Sequence, residues 1–451
     1  MLQTFVRMGG QAFASHVPPI HTPRMTQEVY DKALKQSQAI LRKFYSKVAS
    51  AIEGPGKTTY GDVDILVTSP LKNAFSPVES VADRLKKALN AVAWIQVEGN
   101  PTINFAVPQP DESIKNMVGE IGKNLTKFKD NASERWYIQV DVHTCKDVHE
   151  FEWELFHSAH GDLWNIIGTT IRRFGLTINN HGLFIRNPEI ELADRKKSMV
   201  FLTDDPGKIL DFLGLDQDRW WKRFDTQQEM FEYAASCRMF WVRDVVEDEA
   251  EGDVTGQEGG AEGKKKLKHN DRQRLAKRPI FRAWVDEFIP QCREEGKYSD
   301  VKITREEIRD EVFEKFGVKK EYETRQHDWN LARHLVELVN DGIKGNIPVD
   351  GVNDQMRSAA TKVMKGIIME GELYDGSVPA AAMKDEKGFY NLELVKHFVA
   401  ENWENAGRIG IARQQVKARE AMKAKAKKKA KAERDSRLQT RHDTDSNNIR
   451  E

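Results

Sequence analysis

Gly61-Asp62-Val63-Asp64-Ile65-Leu66-Val67-Thr68 sets two carboxylates two residues apart in an otherwise apolar run. Its β-branched and aliphatic residues predict a strand over Val63 to Thr68. Side chains on a strand alternate faces with a period of two, so Asp62 and Asp64 project to one side. A later run, Gln139-Val140-Asp141-Val142, carries a third carboxylate in the middle of a strand predicted over Trp136 to His143. Brought together, three acids repel unless a counter-charge lies among them, and the usual hard-cation partner of oxygen ligands is Mg²⁺. Two such ions about 3.5–4 Å apart would clamp the attacking and leaving oxygens of an in-line phosphoryl displacement. A plainer reading makes Asp62 a turn residue and Asp141 a surface position. The apolar neighbours Val63, Ile65, Leu66, Val140 and Val142 count against it, because they would bury both strands and leave the acids at the rim of a core.

Around these strands the pattern is mixed. Helical spacing of Val29, Leu34, Ile40, Leu41, Phe44 and Val48 predicts a helix over Thr26 to Val48, with Thr26 as N-cap. Short β-rich runs at Trp94 to Glu98 and Ile103 to Val107 predict further strands of the same sheet, and Pro77 to Ala91 a helix before them. Helices are expected over Asp147 to His157 and Leu163 to Phe174, added strands over Leu176 to Arg186 and Ser198 to Thr203, and closing helices over Pro206 to Leu213 and Thr226 to Trp241. Beyond Pro279 only helices are predicted: Ile280 to Arg293, Thr304 to Phe316, Trp329 to Ile343, Gln355 to Met369 and Leu392 to Trp403.

The acidic strand and its surroundings resemble the nucleotidyltransferases of the DNA polymerase beta type. That pattern has a glycine-rich turn, Asp-x-Asp followed by apolar residues, and a third Asp on a later strand preceded by hydrophobic residues. Here Gly56 stands six residues before Asp62, and the likeness covers Lys47 to Cys145. It implies an α+β fold, a nucleotidyltransferase-type mixed sheet with flanking helices. It also implies a metal-dependent enzyme that moves a nucleoside monophosphate from an NTP to a hydroxyl acceptor, with nucleic acid as the expected acceptor and Mg²⁺ (or Mn²⁺) as cofactor. Asp62 and Asp64 would hold both metals, and Asp141 would complete the catalytic one and help activate the acceptor hydroxyl. The family opens its turn with Gly-Ser, whose serine and backbone N–H groups hold phosphates; the counterpart here is Ser50, in a turn longer by a residue or two. Gly56, Lys57, Thr58 and Thr59 complete the expected nucleotide-binding set. A catalytically decayed transferase fold acting as a nucleic-acid-binding scaffold is the alternative.

Other motifs compete. Ala51 to Thr58 (AIEGPGKT) satisfies the loose phosphate-loop pattern, but that loop needs a helix after it, and a strand is predicted instead. Cys145, His149, His157 and His160 invite a zinc reading at a spacing that fits no common zinc pattern. Trp220, Trp221, Phe224, Phe231 and Tyr233 could stack on bases, although their spacing favours core packing. Arg172-Arg173 and Arg195-Lys196-Lys197 could meet phosphate, or simply be solvated.

The chain has 451 residues, with 70 Lys+Arg balancing 70 Asp+Glu. That zero averages unlike pieces. Asp244 to Glu262 holds eight acids and no base, Gly263 to Arg278 eight bases and one acid, and Ala412 to Leu438 eleven bases and three acids on an alanine-rich background. The first pair reads as a linker, the last as an exposed helix that would touch polyanions or an import receptor, or simply be a solvated charge run. The expected map is a flexible N-terminus (1–25), a nucleotidyltransferase-like α/β domain with helical extension (26–243), a disordered acidic/basic linker (244–272), an all-helical domain (273–407) and a basic tail (408–451). No run approaches the roughly 18–20 apolar residues that span a bilayer, so no membrane partner is expected. Cys145, Cys237 and Cys292 lie far apart, which suits a reducing intracellular setting, nucleus or cytoplasm. Arg7 and Arg24 with no acid among the first 27 residues keep a mitochondrial presequence in view.

Overall fold

In the computed structural model the described residues are 10–18, 20–109, 136–242, 278–300 and 303–447, with side chains to residue 432. They form two compact units, Met1–Lys320 and Glu321–Glu451. The predicted linker at 244–272 lies outside the described residues.

Period-two alternation builds the first sheet. Strand β2 (Val63–Pro70) turns Val63, Ile65 and Val67 into a core, β4 (Thr102–Pro108) adds Ile103 and Phe105, and β5 (Tyr137–Thr144) adds Ile138, Val140 and Val142. Helix α1 (Gln27–Leu41) covers this face with Val29, Tyr30, Ala33 and Leu41, and α2 (Val81–Ala88) with Ala82 and Leu85. Fully burying an aliphatic or aromatic side chain stabilises by about 1.5–3 kcal/mol, so one face of β2 alone anchors the sheet strongly. With β1 (Tyr45–Ala49) and β3 (Ala93–Gln96) the strand order is β1-β2-β5-β4-β3. Only β2 and β5 run parallel; the other neighbours are antiparallel. The architecture is α+β, as expected, with a mixed sheet and a helical C-terminal region.

Four details differ from the sequence reading. The helix predicted to Val48 stops at Leu41, and Tyr45–Ala49 is instead an edge strand paired with β2. Phe44 and Val48 continue a helical spacing, but backbone pairing along β2 outweighs it. Thr26 sits at the N-cap with extended backbone, yet its side chain makes no capping bond. The added strands do not join the first sheet: β6 (Leu176–Asn179), β7 (Gly182–Arg186) and β8 (Met199–Thr203) form a separate antiparallel sheet in that order. Finally, the helical stretch Pro279–Glu294 and the helix Arg305–Phe316 belong to the first unit, although the sequence reading gives them to a second domain. Buried Trp284 and Phe288 explain this, since Trp284 meets Phe231 edge-on, Phe288 packs against Phe231 tilted, and Trp284 also meets Phe240.

The described N-terminal residues are not loose. Phe13 is fully buried, and Met25 pairs with Tyr60 as an isolated bridge.

The second unit is helical. Its core joins Leu338, Ile343, Val363, Met364, Ile367, Val395 and Val399 from the stretch Lys319–Ile343 and the helices Asp354–Met369 and Leu392–Asn447. The last helix runs without a break from the core into the basic tail. Gly407 and Gly410 let it lie against the preceding helix, for a Cβ at Gly410 would stand 2.8 Å from the Ala359 carbonyl oxygen. From Ala412 to Ala432 every residue is exposed. No described helix is long and apolar enough to cross a membrane.

Candidate metal centre

The sheet face opposite the α1 core carries the acids. Parallel pairing of β2 with β5 sets Asp64 directly beside Asp141, and antiparallel pairing of β5 with β4 sets Asp141 beside Asn104. Val63, Ile65, Val140 and Val142 point the other way, so core formation itself fixes the face on which the carboxylates emerge. Asp62 enters at the start of β2. One carboxylate oxygen from each of Asp62, Asp64 and Asp141 lies within 4.8 Å of the others, the only such grouping of metal-binding side chains among the described residues.

The electrostatics are those of an unbalanced acidic cluster. Burial, reinforced by Asp62, Asp141 and Glu53, pushes Asp64 from 3.8 up to about 7. Protein surrounds much of its carboxyl group, yet the side chain keeps solvent access, and water there screens part of the energetic effect. Burial likewise raises Asp141 to about 6, against hydrogen bonds from Asn104 and Gln139 that favour its ionised form. Asp62 is raised by burial and held back by the Gly10 N–H, Lys57 and Arg24. Among the described residues no ion pair neutralises the three. An all-oxygen, anionic donor set of this kind could hold a hard cation.

The predicted nucleotide-binding residues occupy the loop between β1 and β2. Ser50 is not directed at open solvent: its hydroxyl donates to the Asp64 carbonyl at 2.6 Å and accepts from Gln38 Nε2 at 3.1 Å. Gly56 takes a left-handed φ of +73°, and a Cβ there would meet Gln227 Nε2 at 2.7 Å. Lys57, Thr58 and Thr59 are exposed on the approach to Asp62. Lys57 pairs with Glu53 at 2.8 Å and lies over the Tyr60 ring, while Thr59 receives Arg24 on both its hydroxyl, at 2.9 Å, and its carbonyl, at 2.7 Å. No helix follows Thr58; the chain passes through Tyr60 into β2, so the phosphate-loop reading lacks its required context. The loop is pinned from below. His160 N–H donates to the Ile52 carbonyl at 2.6 Å, and burial pushes the His160 ring down to about 4, leaving it neutral against the Trp220 carbonyl.

Several of the weaker candidates take part in packing or pairing, while Arg195, Lys196 and Lys197 are exposed. Cys145 is buried and raised to about 12, His149 meets Asp204 at 3.3 Å, and no zinc-type grouping forms among the described residues. Trp220 and Phe224 are fully buried, as core packing predicts, and Trp221 is partly exposed. Arg173 lies over the Trp241 ring. Asn104 escaped the sequence reading, since only the β4–β5 register brings it to Asp141. Gln139 carried a signal, because it stands two residues before Asp141 on the same strand face.

No protein-family model matches the chain, and a search of curated proteins returns no match.

Proposed function

We propose that the protein is a metal-dependent nucleotidyltransferase with a polymerase beta-type catalytic sheet, moving a nucleoside monophosphate from an NTP to a hydroxyl on nucleic acid. The observation that carries this reading is the register: Asp64 beside Asp141 on parallel strands, with Asp62 at the strand start, all on the face away from the core. Asp62 and Asp64 would hold Mg²⁺ or Mn²⁺ together with Asp141. Bound there, the cation supplies positive charge where phosphate oxygens gain negative charge. Asp141, brought beside Asp64 by the strand register, would also help take the proton of the acceptor hydroxyl. That oxygen bonds to the α-phosphorus, the bond to the bridging oxygen breaks, and pyrophosphate leaves. Lys57, Thr58 and Thr59 offer donors to the triphosphate from their exposed turn.

The exposed helix from Ala412 to Ala432 supports a polynucleotide acceptor. It displays nine bases and one acid over 21 residues, a polyanion-binding surface by charge.

One observation favours the scaffold alternative: the Ser50 hydroxyl is already committed to the Asp64 carbonyl. Pyrophosphate release separates the two. Each NTP is supplied in turn with Mg²⁺ or Mn²⁺ and an RNA or DNA strand bearing a free terminal hydroxyl. The transferase releases pyrophosphate, and Asp62→Asn/Asp64→Asn does not. Salt-sensitive strand binding that survives the double substitution, with no release from wild type, belongs to the scaffold.

A further inference from the structure

The segment around Gly10 bonds one of the three acids directly and a second through Gln139. Gly10 N–H donates to Asp62 Oδ2 at 3.0 Å. This close approach depends on glycine: its φ is +83°, and a Cβ would lie 2.4 Å from the Gly61 carbonyl oxygen. Two residues on, Ala12 N–H donates to Gln139 Oε1 at 3.0 Å. An amide whose oxygen is taken by an N–H must turn its NH₂ the other way, and Gln139 Nε2 donates to both carboxylate oxygens of Asp141 at 3.0 Å. Gln139 is buried, so this amide is fixed in place. The segment is itself anchored, by Phe13 in the core, by the Thr22 hydroxyl on the Gly10 carbonyl at 2.8 Å, and by the Met25–Tyr60 bridge.

We propose that this N-terminal segment is the outer wall of the metal site, orienting Asp62 directly through Gly10 and Asp141 through Gln139, which acts as a positioning residue. The inference rests on the metal-binding reading of the acids. A donor on a ligand carboxylate fixes its rotamer and leaves further lone pairs for a cation, and loss of such a partner commonly weakens metal binding about 10–100-fold. Two backbone N–H groups from one segment thus bear on two ligands, Asp62 directly and Asp141 through Gln139. The bonds require a glycine at one point and an amide at the other.

The test is Mn²⁺ titration of the full-length protein, followed by the paramagnetic resonance signal of the free ion, with thermal unfolding in chelator measured alongside. Wild type binds Mn²⁺, and Asp62→Asn/Asp64→Asn does not. Gly10→Ala and Gln139→Leu remain folded and bind about 10–100-fold more weakly. A merely structural role would lower the melting temperature and leave the affinity of the folded protein unchanged. Should Gln139→Leu fail to fold, Gly10→Ala decides alone. Unchanged affinity in a folded variant overturns the proposal, and so does tighter binding, which would make the segment a plug. Wild type that binds no Mn²⁺ overturns the metal reading itself, a result distinct from wild-type binding that the two variants share.

Discussion

Asparagine at position 64 removes a charge that the acidic cluster opposes. Asp64 is raised from 3.8 to about 7 by burial and by three neighbouring carboxylates. A folded-state value above the unfolded one means that the folded protein holds the proton more tightly. The corresponding stabilisation is complete below about pH 4 and is lost as pH rises through about 7. Taken whole, a difference of that size is about 4 kcal/mol; because the Asp64 carboxylate retains solvent access, screening reduces it to about 1–2 kcal/mol. The substituted amide does not ionise, so the variant escapes this loss. In chelator at pH 8, Asp64→Asn should therefore melt roughly 2–8 °C above wild type, at about 2–4 °C per kcal/mol for a domain of this size, and the gain should vanish near pH 4. Mg²⁺ should reverse the order at pH 8, since a cation at about 100 times its dissociation constant stabilises wild type by about 2.7 kcal/mol. The assay is a melting series by circular dichroism at pH 4, 6 and 8, with chelator or Mg²⁺. A variant less stable than wild type at pH 8 in chelator would refute the reasoning, because it would mean that burial and the neighbouring carboxylates do not disfavour the Asp64 charge.

Further outcomes follow from the same geometry. Asp141→Asn should slow nucleotide transfer by at least about 10²–10⁴-fold, the usual contribution of a general base, in single-turnover assays at saturating nucleotide. Ile65→Ala, in the fully buried row on β2, should cost about 2–5 kcal/mol by urea denaturation. Ending the chain after Ile411 removes an exposed helix, so the melting temperature should hold while strand binding weakens. If about half of the nine bases at 412–432 meet phosphates, the slope of log affinity against log salt should flatten by about 4. Fluorescence anisotropy across a salt series reads both effects.

Much of the site was legible because it is written in period two. Val63, Ile65 and Val67 alternate with Asp64 and Leu66, and Val140 and Val142 flank Asp141, so the sequence specifies both the strands and the face on which the acids emerge. What it leaves open is non-local. Nothing near Tyr45–Ala49 announces that β2 will recruit it as an edge strand, and nothing in Leu176 to Thr203 says that its strands form their own sheet. The acid-to-base switch near residue 263 marks a change of composition, but Trp284 and Phe288 decide on which side of it the following helices pack. Asn104 and Gly10 approach the acids through tertiary pairing alone, and neither belongs to a pattern of its own.

The central claim is that Asp62, Asp64 and Asp141 hold the cation chemistry of nucleotidyl transfer. The most direct measurement supplies NTPs labelled at the α-phosphate, each base separately, with Mg²⁺ or Mn²⁺ and a mixed pool of RNA, DNA and protein acceptors. Wild type is compared with Asp62→Asn/Asp64→Asn. The account predicts label on the nucleic-acid fraction from wild type and none from the double variant. Equal labelling by both proteins, or none from folded wild type that also fails to bind nucleotide, would contradict it.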